Sequence, residues 1–245
     1  MKHDKELIRK RFSRSLAAYD SIAVVQKDIA ARLADTVALH KKEAATGIEI
    51  GAGTGFLTHR LLETYPAARW TVNDIVPESA HYIGRREGMT FVTADGEHMP
   101  LGTENDIIAS ASTVQWFDSL PEFIARAAGA LAEDGILALS TFGPDNFREI
   151  TAATGNSLEY FPAGELEKWA RDAGLEIVGS EEWHEIRHFD TPLDVLRHIK
   201  ATGVNALDKQ RWTHARLRRF ETEYRELSGE VTLTFHPIIM VARKK

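Results

Sequence analysis

Three glycines at alternate positions, Gly51, Gly53 and Gly55, close the run Gly47-Ile48-Glu49-Ile50 and precede an apolar stretch that begins Phe56-Leu57. Glycine permits φ values and close backbone approaches that other residues resist. A strand that breaks here and resumes as a helix can cradle a nucleotide-like ligand at the helix N-terminus. Two acids stand at matching places further on. Asp74 lies 23 residues beyond Gly51, a spacing at which a carboxylate accepts hydrogen bonds from ribose hydroxyls. Asp95, in Ala94-Asp95-Gly96-Glu97-His98-Met99-Pro100-Leu101, ends the next strand-like segment, where an acid can accept the amino group of adenine under cover of Met99 or Leu101. Taken alone, the glycine loop also fits a bare tight turn or a dinucleotide site, although G-x-G-x-x-G would put its third glycine where Phe56 stands. The chain shows no P-loop lysine, which favours adenosine without phosphates.

The elements that must position these groups follow from hydrophobic period. Leu7, Ile8, Phe12 and Leu16, then Ile22, Val25, Ile29, Leu33 and Val37, are spaced for two helices between residue 4 and about residue 39, with Tyr19 at their junction and Asp20-Ser21 as a cap for the second. From Gly47 the chain alternates. Strands are expected at 47–51, 69–75, 90–94, 105–110 and 135–142, and helices at 55–64, 77–84 and 120–131. Strands separated by single helices make a parallel doubly wound sheet, an α/β Rossmann-like fold whose ligands bind at the carboxyl ends of the strands. Beyond residue 142 the expected elements are helices at 162–173, 192–202 and 210–227, a strand from Leu175 through Trp183, and an antiparallel last strand at 231–241. This predicts one domain over residues 1–245: N-terminal helices (1–40), a ligand-binding half (47–142) and a substrate side (143–245), with the N-terminal and late helices forming a lid.

Composition sets outer bounds. The charged fraction of 27% and apolar fraction of 43% are those of a globular protein. No apolar run approaches the roughly 20 residues that span a bilayer, and the polar start Met1-Lys2-His3-Asp4-Lys5-Glu6 lacks a signal-peptide core. A cytoplasmic location is therefore the expectation. The chain has no cysteine, which removes disulfides and thiolate sites. A net charge of -6 argues against broad nucleic-acid binding. His184 and His188 have the i, i+4 spacing of a helical metal pair, but Glu185-Ile186-Arg187 between them continues a strand pattern and no third ligand is evident, so no metal is expected. No G-x-S-x-G elbow supports a serine hydrolase.

As a set, Glu49-x-Gly51-x-Gly53-x-Gly55, Asp74 and Asp95 resemble the motifs of class I S-adenosylmethionine (SAM) methyltransferases from Ile48 to about Phe142. The resemblance implies SAM as co-substrate, with Gly51, Gly53 and Gly55 along its methionine, Asp74 at the ribose, Asp95 at the adenine with Gly96 and Glu97 adjoining, and Ser110 beside the reacting centre. The chain further resembles the malonyl-acyl-carrier-protein O-methyltransferases of biotin synthesis. That likeness rests on Phe12-x₆-Tyr19-x₆-Gln26, Val114-Gln115-Trp116, the run from Ser140 to Ile150 and, more weakly, His198 to Asn205. It implies methylation of the free carboxyl of a malonyl thioester on acyl carrier protein. Such a carboxyl, with a pKa of about 4, is ionised at neutral pH and needs positioning rather than a general base.

Tyr19, Gln115 and Trp116 are the expected positioning residues, and Phe142 and Phe161 the expected pocket walls. One cation is expected on the non-attacking oxygen, with Lys200 and Arg148 preferred over Arg187 and Arg197. Arg211, Arg216, Arg218 and Arg219, with His214 between them, form a candidate docking face for an acidic carrier. Alternative readings are a SAM methyltransferase for another small acid, such as an aconitate-like one, a SAM-binding module without catalysis, and a nicotinamide oxidoreductase.

Overall fold

The computed structural model describes residues 3–203 and 212–245. Val204, Asn205, Gln210 and Arg211 lie outside them. The chain opens with α1 (Lys5–Ile22) and α2 (Val24–His40). Asp4 caps α1 by accepting from the Leu7 N–H at 2.9 Å. The joint is the buried Ala23, which ends one helix and starts the next. Asp20 and Ser21 therefore do not cap α2. Both lie in the last turn of α1, where the Ser21 hydroxyl donates to the Ala18 carbonyl.

The sheet is built from β1 (Thr46–Ile50), β2 (Arg69–Asp74), β3 (Met89–Thr93), β4 (Asn105–Ser110), β5 (Leu131–Phe142) and β6 (Leu175–Glu182). A separate short strand, β7 (Glu185–His188), is followed late in the chain by β8 (Thr232–Phe235) and β9 (Pro237–Lys244). Seven strands pair in the order β3-β2-β1-β4-β5-β9-β6, parallel from β3 to β5, with β9 antiparallel to both its neighbours. Between them run α3 (Phe56–Thr64), α4 (Ser79–Ile83), α5 (Leu120–Ala130), α6 (Arg148–Thr154), α7 (Ala163–Asp172), α8 (Pro192–Ala201) and α9 (His214–Ser228). The predicted mostly parallel α/β sheet with an antiparallel last strand is thus present.

Strand alternation sorts the core into two layers. Ile48, Ile50, Ile108 and Leu137 pack with Phe123 and Ile124 of α5 and Leu166 of α7. Ile107, Ala109, Ile136 and Ala138 face Leu33 and Val37 of α2 and Leu57 and Leu61 of α3 on the other side.

The late region departs from the one-strand reading. The segment expected to run unbroken from 231 to 241 divides at His236, just before Pro237, which has no N–H for a continuing ladder. The strand from Leu175 likewise stops at Glu182. β7 and β8 then pair antiparallel as a second sheet. Around them lies a third core of Phe142, Phe147, Val195, Phe220, Tyr224 and Phe235, reached also by Val25 and Ile29 of α2. Helix α6 has no sequence signature and forms from tertiary ties. The Phe147 N–H donates to the Thr234 carbonyl at 2.7 Å, and the buried Glu149 carboxylate receives both the Thr234 N–H and its hydroxyl. No described helix is long and apolar enough to cross a membrane.

Candidate active site

At the carboxyl edge of β1, β2 and β4 lies a cleft of about 980 Å³, its mouth included. That falls within the size of small-molecule sites. Its floor is the glycine loop. Gly51 has φ +72, and a Cβ there would collide with the Thr113 hydroxyl oxygen. The N–H groups of Gly51 and Ala52 both donate to the Asn73 carbonyl at 2.9 Å, tying the loop to the end of β2. Gly53, at φ +57, donates its N–H to Asp74 Oδ2 at 2.7 Å. Gly55 is the N-cap of α3 and, unlike its neighbours Thr54 and Phe56, does not line the cleft.

Asp74 lines the cleft and is buried, which pushes its carboxyl up, while the N–H groups of Val76 and Gly53 oppose that shift. Asp95 and Gly96 line the next wall. A Cβ on Gly96 would collide with Ile50 Cγ2, so only glycine lets the β3 loop pass over β1. Glu97 is placed differently from its expected position. Its side chain turns from the cleft, with Oε2 accepting from Lys5 Nζ at 2.7 Å and Oε1 from the Ser119 N–H at 2.7 Å. Burial pushes the Glu97 carboxyl up, and the Lys5 ammonium with the Asp118 and Ser119 N–H groups more than reverses this, leaving it below its ordinary value.

Ser110, expected beside the reacting centre, also lies elsewhere. Fully buried, it donates to the Ile50 carbonyl at 2.9 Å and staples β4 to β1, so it does not reach the cleft. Two residues on, Ser112 does. It is held at φ +51, a costly conformation for a residue with a Cβ, by its N–H on Ser140 and by Gln115 Nε2 on its carbonyl. Its hydroxyl is buried with no protein partner.

The roof is one face of α1. Lys5, Ile8, Phe12, Leu16 and Tyr19 all line the cleft. Tyr19 stacks on Phe56 at 5.9 Å between centroids. Burial, with Asp74 and Asp20 nearby, pushes its hydroxyl far above the ordinary range, so it stays a proton donor. Trp116, in the 3-10 turn Val114–Trp116, meets the edge of Phe12 at 5.8 Å. It lines the cleft, and its buried Nε1 has no protein partner. Gln115 instead faces a smaller neighbouring pocket with Thr141, Tyr160 and Phe161.

The remaining expected residues lie elsewhere. Phe142 belongs to the third core. Arg148 and Lys200 are exposed and line neither cavity, because Glu149 and Ile199 take the inward positions on their helices. Arg187 and Arg197 pair with Glu185 and Asp194. Among the described residues, α8 and α9 do not line the cleft, and of the helices expected as a lid α1 and α2 reach it. His188 pairs with Glu230, whereas His184 meets Asp145 at 2.9 Å and stacks on His236. The two histidines do not converge. On α9, Arg216 lies on the Trp212 ring and Arg219 pairs with Glu223.

Three lining residues escaped the motif reading. Glu49 stands in the E-x-G-x-G-x-G pattern itself. It is 1% exposed, Oε2 has no protein partner, and burial pushes its carboxyl up to about 8, with Thr58 working downward and Asp74 upward. Lys5 could have been found by extending the α1 stripe one turn backwards. Nothing in the local sequence marks the positive φ of Ser112. Among the described residues Lys5 is the single cationic side chain on the cleft, against the three acids Glu49, Asp74 and Asp95. That balance suits a ligand carrying positive charge, hydroxyls and an amino group.

Comparison with known proteins agrees with this chemistry. A family described as a methyltransferase domain matches residues 48–139. Proteins named malonyl-acyl-carrier-protein O-methyltransferase are similar over nearly the whole chain. The one from Porphyromonas gingivalis is 39% identical across 98% of this chain and 96% of its own. The one from Haemophilus influenzae is 35% identical across 98% and 95%. Among solved structures, the N-methyltransferase NodS from Bradyrhizobium japonicum, in complex with S-adenosyl-L-homocysteine, superposes with a TM-score of 0.62 at 13% identity, covering 97% of this chain and 98% of NodS. The Burkholderia thailandensis 1,6-didemethyltoxoflavin-N1-methyltransferase, with bound 1,6-didemethyltoxoflavin and S-adenosylhomocysteine, gives 0.60 at 18% identity, covering 98% of this chain and 88% of its own. At such identities these two speak for the fold.

Proposed function

Since the chain belongs to the malonyl-acyl-carrier-protein O-methyltransferase family, we propose that it methylates the free carboxylate of a malonyl thioester on acyl carrier protein, with SAM as methyl donor, to prime pimeloyl synthesis for biotin. The observation that carries this reading is the lining of one cleft. Acids suited to adenosine and a cationic centre meet an aromatic roof and unpartnered neutral donors, and among the described residues the one cation lining the cleft, Lys5, is already paired with Glu97.

The acidic lining fits the co-substrate. Gly51, Gly53, Asp74, Asp95 and Gly96 would hold it, Gly55 would set the helix start behind it, and Glu49 would face its positive charge. Bound there, SAM supplies a methyl group on a sulfonium. The chain's own residues do the rest. The carboxylate is ionised on arrival, so the protein has to orient it and exclude water. Ser112 Oγ and Trp116 Nε1 are the donors for that task, with the protonated Tyr19 hydroxyl on the roof. Neutral donors orient a carboxylate without drawing off as much of its nucleophilicity as an ammonium or guanidinium would. On this reading neutral donors take the place of the expected cation clamp. Gln115, Thr141, Tyr160 and Phe161 wall the adjoining pocket, which is suited to the thioester arm. The arginine-bearing face of α9 is the proposed contact for the acidic carrier.

The deciding experiment incubates the purified protein with SAM and, in parallel, malonyl-carrier protein, a small malonyl thioester and free diacids. The expected product is a malonyl-carrier protein heavier by one methylene group, formed faster than from the small thioester. Turnover of a free diacid alone would move the protein to another acid substrate. SAM binding with no transfer would make it a binding module.

A further inference from the structure

We infer that Lys5 is a positioning residue that locks α1 over the cleft and couples its co-substrate end to its acceptor end. Lys5 Nζ donates to Glu97 Oε2 and to the Trp116 carbonyl, both at 2.7 Å. It also lies 3.9 Å from Asp95 Oδ1 and over the Phe117 ring at 5.2 Å. These partners sit on two loops: Asp95 and Glu97 follow β3, and Trp116 and Phe117 follow β4. One ammonium on the roof therefore holds both.

The surroundings reinforce the junction. Glu97, 3% exposed, receives the Ser119 N–H on its other oxygen, and its backbone carbonyl is held by Arg126 of α5. The His3 N–H reaches Asp118 Oδ1 at 2.6 Å, and the His3 and Phe12 rings both meet Trp116 edge-on. From Lys5 the same face of α1 continues through Ile8, Phe12, Leu16 and Tyr19, so the anchor at its first turn sets the roof along the whole cleft.

On this inference the roof lifts as a ligand passes. A ligand on Asp95 and a ligand beside Trp116 then stabilise the same closed arrangement. By linkage each tightens the other.

The acceptor half of this inference rests on the proposed substrate. The test measures malonyl-carrier protein affinity by calorimetry with and without S-adenosylhomocysteine, and the release rate of S-adenosylhomocysteine by stopped flow. In the native protein S-adenosylhomocysteine should tighten carrier binding about fivefold or more. In Lys5→Met that gain should fall below about twofold and release should speed about tenfold, while Lys5→Arg should restore both. Glu97→Gln should act in the same direction, and the double variant Lys5→Met/Glu97→Gln should add little to either single change. Equal coupling and equal release in Lys5→Met and the native protein would overturn the inference, as would full additivity of the two changes. If the native protein does not bind the malonyl carrier at all, the substrate reading fails separately, and the release rates still decide the role of Lys5.

Discussion

The two halves of the cleft are built on different principles. The proposed co-substrate half comes from one continuous β-α-β-α-β stretch, in which Glu49, the glycine loop, Asp74, Asp95 and Gly96 all stand at strand ends. The proposed acceptor half gathers Lys5, Phe12 and Tyr19 from α1, Ser112 and Trp116 from the loop after β4, and Phe161 from far along the chain. In the first, backbone conformation does the positioning, so the parts cannot be changed without bending the chain. In the second, side chains are held by packing, and a substitution alters one contact at a time. Damage should therefore be steep on one side and graded on the other.

The largest effect belongs to Gly51→Ala. It places a Cβ at φ +72 and inside contact distance of Thr113, costing about 2–4 kcal/mol from strain and overpacking together. Denaturant unfolding should show that loss, and calorimetry should show SAM binding nearly abolished. A Gly51→Ala protein that still binds SAM normally would erase the contrast between the halves. Asp74→Ala comes next. It removes a charged acceptor, worth about 1.5–3 kcal/mol, and frees the Gly53 and Val76 N–H groups, so SAM affinity should fall between about tenfold and a hundredfold.

Glu49 makes the contrast depend on pH. Its carboxyl is raised in the folded protein to about 8, so between the ordinary carboxyl range and pH 8 the folded state holds more protons than the unfolded one. Stability of the ligand-free protein should then fall as pH rises from about 5 to 8, by at most about 1.4 kcal/mol per pH unit. Glu49→Gln should flatten most of that slope, leaving the part contributed by Asp74, which is raised in the same sense. Unfolding curves at pH 5.5 and 8 decide this, and a slope unchanged in Glu49→Gln would remove Glu49 from the account.

On the acceptor side the expected changes are smaller. Trp116→Phe keeps the packing against Phe12 and loses only the Nε1 donor, so the KM for malonyl-carrier protein should rise about three- to tenfold with SAM affinity unchanged. A matching loss of SAM affinity would place that donor in the co-substrate half instead. Smallest of all, Arg148→Ala and Lys200→Ala should stay within about twofold of native kcat/KM, since both side chains are exposed outside the cavities. A tenfold loss in either would bring back the cation clamp.

The same division explains what could be read in advance. The glycine loop, Asp74 and Asp95 were legible because strand ends fall at regular spacings and glycine is demanded by backbone angle, both local properties. Asp95 and Glu97 shared one short motif, yet only Asp95 faces the cleft. Glu97 is drawn away by Lys5, 92 positions earlier, and by the start of α5. Ser110 and Ser112 are two residues apart on the same strand exit. Ser110 is buried by its bond to β1, and Ser112 is turned outward by a positive φ that depends on Ser140.

By itself, then, the sequence determined the α/β alternation, the place of the co-substrate loop and the acids that flank it. Those depend on period, on turn residues and on the short reach of one strand to the next. The tertiary structure alone decided which helix became the roof, and that Lys5, bonded to the Trp116 carbonyl, rather than Arg148 or Lys200 is the cation on the cleft. A side chain's final direction is set by what packs against it, and for Glu97 and Ser112 key partners lie 92 and 28 residues away.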